Sequence, residues 1–207
     1  PGTDAGWTDS GMSPSRHAEA WAKLREDISR CTRCGLHASR TQGVPGVGDL
    51  CADWLIVGEA PGAEEDRQGE PFVGQAGKLL DAMLAAIGLK RGEDVYIANV
   101  LKSRPPGNRD PGPDEVKACL PYLERQIELL EPKLILAMGR FAAQSLLASG
   151  ESISRLRGRM HYYRGVPLIV TYHPAYLLRN LPDKAKAWDD LCMAKAAMAR
   201  LKHPDQT

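Results

Sequence analysis

Five short stretches of the chain carry residue types that can do chemistry. Cys31 and Cys34 form a C-x-x-C; Gly58-Glu59-Ala60-Pro61-Gly62, Asn99, Gly139-Arg140 and Tyr172-His173-Pro174-Ala175 each follow or close a short apolar run. Thiols at that spacing bind a soft metal or do redox work. A carboxylate and an imidazole transfer protons, and an Asn amide presents an acceptor and two donors to the edge of a ligand. The glycines fit neither G-x-x-x-x-G-K-[ST] nor G-x-G-x-x-G, which excludes a P-loop and a dinucleotide fingerprint. Taken singly, each stretch has a plain reading: a Gly-Pro turn is usually only a turn, and a His before Pro usually a satisfied surface residue.

The elements that must position these residues give the joint reading. Short apolar runs at Trp54–Val57, Val95–Val100, Leu134–Met138 and Val166–Thr171 read as strands. They alternate with helical patterns near Lys78–Ile87, over Asp114–Leu130 and Arg140–Leu147, and at Lys184–Leu201. Strands alternating with helices predict right-handed crossovers and a parallel sheet covered on both faces, a three-layer α/β/α sandwich with a central four-stranded parallel sheet. In such sheets ligands bind beyond the carboxyl ends of the strands, which is where the four polar stretches after Gly58 fall. Ala18, Trp21, Leu24 and Ile28 place a further amphipathic helix at His17–Arg30. Gly35 to Leu50 reads as a loop, Pro121 as a break or kink inside its helix, and Tyr162-Tyr163 with Arg164-Gly165 as a short antiparallel excursion.

Of 207 residues, 43% are hydrophobic and 26% charged, ordinary for a globular domain and wrong for a disordered or fibrous chain. Lys+Arg 27 against Asp+Glu 26 gives a formal net charge of +1, so only the distribution of charge can point to a polyanion. Ser152 to Pro182 contains no acid but holds Arg155, Arg157, Arg159, Arg164 and Arg179, whereas Glu59 to Glu70 is acidic. Five cysteines, an odd number, argue against a disulfide framework. No secretory signal or membrane-length apolar run is visible, so a cytoplasmic, monomeric protein without membrane contact is expected. Residues 1–12, opening on Pro, are set aside as a disordered or expression-derived tail, and 13–203 as one domain.

The segments GEAPGAEEDRQGEPFVGQAGKLL (58–80), NVLKSRPPGNRDP (99–111) and HPAYLLR (173–179), preceded by CTRC (31–34), resemble the family-4 uracil-DNA glycosylases. The resemblance runs from about Cys31 to Leu191 and rests on four ordered motifs. It implies a glycosylase fold, single- or double-stranded uracil-containing DNA as partner, and monofunctional hydrolysis of the N-glycosidic bond that leaves an abasic site for base excision repair. Such an enzyme flips the base out of the stack into a pocket.

The resemblance makes Phe72 the platform that stacks on uracil, with Gly58, Ala60, Pro61 and Gly62 lining the pocket. Asn99 matches uracil N3–H and O4 if its amide is held one way. His173 is the candidate donor to O2, where charge develops on the leaving base, in either a neutral or a charged form. Backbone N–H groups from Ala60 to Gly62 are further candidate donors. Other families of these enzymes carry Asp where this chain has Ala60, so the resemblance leaves Glu59 and Glu65 to position water or steady the sugar cation, with Glu64, Asp66 and Glu70 as solvated surface charge. Leu177 and Leu178, beside Tyr176 and Arg179, can wedge the duplex, against the plain reading of a helix start packed on the core. Lys102, Arg104, Arg109, Arg140, Arg155, Arg157 and Arg159 can contact phosphates.

The same resemblance implies a [4Fe–4S] cluster at Cys31, Cys34, position 103 and Cys119. Position 103 is Ser, a poorer ligand, so the cluster is expected to be altered, Ser-ligated or lost. Cys51 and Cys192 fall outside the pattern and read as small buried residues. Two other readings compete: a uracil- or abasic-DNA binding protein with weak or trapped turnover, and an iron–sulfur redox module, which leaves Phe72, Asn99 and His173 unexplained.

Overall fold

The computed structural model describes residues 12–203, so the expected tail, up to residue 11, lies outside the described residues. Its sheet is built from β1 (Val47–Gly48), β2 (Trp54–Gly58), β3 (Val95–Asn99), β4 (Leu134–Met138), β5 (Met160–Tyr163) and β6 (Val166–Thr171). Their order across the sheet is β1-β3-β2-β4-β6-β5. The middle four are parallel, as the alternating pattern predicts, and β1 and β5 pair antiparallel at the two edges. β5 is the expected excursion. β1 lies inside the stretch read as loop: two residues are too few to show a period, and only the pairing of Val47 with Ile97 makes them a strand.

Alternation along the buried strands separates two cores. Leu55 and Val57 face one side with Trp21, Ile28, Leu123 and Ile127, which come from α1 (Pro14–Ser29) and α4 (Pro113–Leu130). Trp54 and Ile56 face the other with Leu80, Leu84, Leu191 and Ala194, from α3 (Gln75–Ala86) and α8 (Lys184–Lys202). Burial on both faces explains why the strands read as continuous apolar runs. The remaining helices are α2 (Ala63–Gln68), α5 (Arg140–Leu147), α6 (Ile153–Leu156) and α7 (Pro174–Leu177). Pro121 does not break α4. Its ring lies on the exposed face, and seven buried residues, from Cys119 to Leu130, hold the helix through the lost hydrogen bond.

Candidate active site

The carboxyl ends of β2, β3, β4 and β6 open into one cleft of about 690 Å³, lined among others by Glu59, Ala60, Phe72, Asn99, Gly139 and His173. The turn after β3 is stitched to the turn after β2 by Val100 N–H to Gly58 O and Leu101 N–H to Glu59 O, both at 3.0 Å. A side chain at Gly58 would put its Cβ 2.4 Å from Asn99 Oδ1 and 2.6 Å from the Phe72 ring, so that position must be bare. Asn99 is buried at 3% exposure. Its amide has no side-chain hydrogen bond among the described residues, which leaves its donors and acceptor to the cleft.

His173 caps α7: its Nδ1 accepts the Ala175 N–H at 3.0 Å. Burial holds this imidazole down to about 4, with the Glu65 carboxylate pulling upward and Arg179 pushing further down. A neutral ring whose Nδ1 accepts must carry its proton on Nε2. The structure thus turns the open expectation about His173 into a neutral Nε2–H donor. Gly139, at φ +91°, lets the β4 end pass close by, since a Cβ there would lie 2.8 Å from His173 Cβ. The imidazole stacks on Phe72 with centroids 5.3 Å apart.

Phe72 itself sits at φ +55°, a left-handed conformation that costs an aromatic residue roughly 1–3 kcal/mol. Two groups that sequence reasoning missed hold it there. Arg91 donates to the carbonyls of Pro71 and Phe72 at 3.0 and 2.7 Å, and Gly77 leaves room for the Phe72 carbonyl, which a Cβ would meet at 1.8 Å. Gly77, directly before the helical pattern at Lys78–Ile87, was the available signal; Arg91 gave none.

The two candidate carboxylates differ. Glu59 faces the cleft, and burial pushes it up to about 7, helped by Asp110 and opposed by Arg140. Glu65 spends both oxygens on backbone N–H groups: Oε1 accepts from Val73 and Gly74, Oε2 from Gly62. It clamps the turn after β2 to the Phe72 loop, and its oxygens are committed before any water arrives. Of the three backbone donors expected in that turn, Pro61 has none and that of Gly62 is taken, which leaves Ala60. Asp66, read as surface charge, is 4% exposed and accepts from Thr41 and Gln42 N–H. Glu64 and Glu70 are exposed as expected.

The expected DNA contacts divide by burial. Lys102 is 1% exposed and cannot meet a phosphate. Arg157 is bound to buried Asp190 at 3.0 Å and to Lys186 O at 2.6 Å. Leu177, 1% exposed, belongs to the core, while Leu178, at 42%, stands out beside exposed Arg179. Tyr176 lines the cleft, stacked on Tyr172 and donating to Asp183 at 2.6 Å. Arg155 is exposed; Arg140 pairs with Asp110, Arg159 with Glu151, Arg109 with Glu115, and Arg104 donates to Asn108.

At the cysteine corner, Cys34 packs against Leu101 and buried Cys119, and Cys31 lies at the end of α1. Burial pushes the Cys119 thiol up, with Cys34 and Cys31 adding to the effect and Lys102 opposing it. Ser103 Oγ accepts from Arg40 at 2.8 Å, and the same guanidinium binds Ser29 O and Cys31 O. Among the described residues no group of three or more His, Cys, Asp or Glu is arranged to hold a metal ion. Three thiols and a hydroxyl already engaged by a cation do not fit a cluster that needs four thiolates. Cys51 and Cys192, expected to be buried, are exposed: one sits in a turn and the other on the outer face of α8.

Comparison with known proteins agrees with this geometry. The model of the uracil DNA glycosylase superfamily matches residues 45–192. The type-4 uracil-DNA glycosylase of Archaeoglobus fulgidus is 51% identical over 168 residues, covering 77% of this chain and 84% of that protein. The chain belongs to the uracil-DNA glycosylase superfamily, in its type-4 family. Type-4 glycosylases of Pyrobaculum aerophilum, 45% identical over 83% of this chain and 91% of the relative, and of Thermotoga maritima, 48% over 79% and 85%, match as well. The predicted α/β sandwich is that of the superfamily, with two edge strands added to the parallel four. No helix among the described residues is long and apolar enough to cross a membrane.

Proposed function

We propose that this type-4 family member is a monofunctional DNA repair glycosylase: it flips uracil out of DNA and hydrolyses the bond from uracil N1 to the sugar C1′. The observation that carries the reading is the meeting, in one cleft, of an Asn amide with no side-chain hydrogen bond among the described residues and a neutral imidazole forced to be an Nε2–H donor.

Phe72 offers a fixed face for the ring, and Asn99 reads N3–H and O4, where cytosine presents the opposite pattern. As the C1′–N1 bond breaks, its electron pair leaves with the base and charge collects at O2. The His173 Nε2–H strengthens its hydrogen bond as that charge grows, which lowers the barrier more than it favours the bound substrate. A water oxygen bonds to C1′, and its proton passes to the Glu59 carboxylate. Glu65 acts upstream, keeping the two loops in register. No step needs a metal. Exposed Leu178 enters the gap left by the base in this reading, and Arg155, Arg179 and Arg140 meet the phosphates.

The test is a labelled oligonucleotide with one uracil, single-stranded or opposite G, incubated with the protein and run on denaturing gels with and without hot alkali. Strand cleavage at the uracil only after alkali is expected. Folded protein that gives no cleavage, or a slow-migrating covalent band, would overturn the reading.

A further inference from the structure

We propose that Lys102 is a positioning residue for Asn99: its buried side chain fixes the end of β3 so that the Asn99 amide meets the base edge in one orientation. The inference rests on the proposed role of Asn99.

Lys102 lies in the turn after β3, three residues beyond Asn99, with its side chain folded back inside. Nζ donates to the Asn99 carbonyl at 2.7 Å and to Gln126 Oε1 at 2.6 Å. Gln126, fully buried on α4, donates in turn from Nε2 to Pro45 O at 2.6 Å and to Tyr96 Oη at 3.3 Å. A second bond ties the same turn outward, from Val44 N–H to Lys102 O at 2.8 Å. The backbone of Asn99 is thereby fastened to α4, to the loop before β1 and, through Val100 and Leu101, to the turn after β2. Two acceptors suit an amine that keeps at least two N–H bonds, so the arrangement does not depend on the charge state of Lys102.

Stability alone is a poor reason to keep this group. A buried amine with no carboxylate partner costs free energy, and an apolar side chain of similar length would fill the same space without that cost. What an apolar side chain cannot do is hold the Asn99 carbonyl. Asn99 has no other side-chain anchor among the described residues, so its orientation must come from its backbone.

The experiment is a double-mutant cycle on single-turnover uracil excision with enzyme in excess, using wild type, Asn99→Ala, Lys102→Met and the double variant, with affinity for an abasic-site duplex and thermal melting measured in parallel. Lys102→Met is expected to slow excision about tenfold, equivalent to ~1.4 kcal/mol in the barrier, with duplex affinity and melting temperature kept. In the Asn99→Ala background the same change should add less than about a further twofold, because the residues act as one unit. Gln126→Leu, which removes one anchor of the amine, should show a smaller loss with the same dependence on Asn99, and it decides the matter if Lys102→Met does not fold. Losses that multiply in the double variant, an unchanged rate in folded Lys102→Met, or a loss that follows duplex affinity would each overturn the inference. An unchanged rate in Asn99→Ala would overturn it by a different route, by removing the uracil-reading role on which it rests.

Discussion

The cleft and the cysteine corner lie at the two ends of the segment from Asn99 to Cys119, and they are held in different ways. In the cleft, the groups that face the substrate space are backed by bonds from elsewhere in the chain: Ala175 N–H fixes the His173 tautomer, Arg91 clamps the Phe72 loop, and Glu65 joins that loop to the turn after β2. At the corner, one guanidinium reaches across from Arg40 to Ser103 and to the carbonyls of Ser29 and Cys31, and the thiols themselves are positioned by packing. The cleft side chains are held by hydrogen bonds from within the chain. The corner joins α1 to the loop beyond β3 and keeps that joint where a fourth thiol is missing. The difference teaches that preorganisation here comes from hydrogen bonds to backbone, which a change of the Ser103 side chain at the corner leaves in place.

The sharpest way to break this comparison is at His173. His173→Ala removes the one side-chain donor assigned to the developing charge on O2 and should lower single-turnover excision about 10²–10³-fold, the usual effect of losing such a donor, with circular dichroism unchanged and melting lowered only by the lost cap of α7. A near wild-type rate would show that the leaving base is stabilised elsewhere.

Next in size is Glu59. Its carboxyl is pushed up to about 7, so the proton-accepting form is scarce at pH 6 and dominant at pH 8, and excision should rise with pH through that window. His173, held down to about 4, stays neutral throughout and contributes no step. Glu59→Gln should cost about 10²-fold at pH 8, toward the lower end for a general base, and flatten the pH–rate profile. A profile unchanged in the variant would assign the ionisation to another group.

The smallest effect on rate is expected at the corner. Ser103→Cys supplies a fourth thiol and should raise the iron retained per chain and the visible charge-transfer absorption of anaerobically purified protein, while excision changes less than about twofold. A large gain in excision would mean that the cleft depends on the corner after all.

Much of this protein was legible in its residues because the information was local. Continuous apolar runs gave the four parallel strands, since burial on both faces removes the polar alternation, and the polar residues at their ends gave the site. Edge strand β1 was not legible because two residues carry no period, and the unbroken α4 was not because Pro121 is tolerated only through contacts made by its neighbours. Lys102, Arg157 and Leu177 were misread as DNA contacts for one reason: a basic or apolar residue near a motif looks the same in sequence whether its side chain turns outward or in. The amino-acid sequence by itself determined the four parallel strands, the order of the motifs and the residue types at the strand ends, because period and residue type act over a few positions. Only the tertiary structure decided which His173 nitrogen carries the proton, which of two nearby carboxylates stays free, and which cations face solvent. Tautomer, titration and burial are sums over groups brought together from distant parts of the chain.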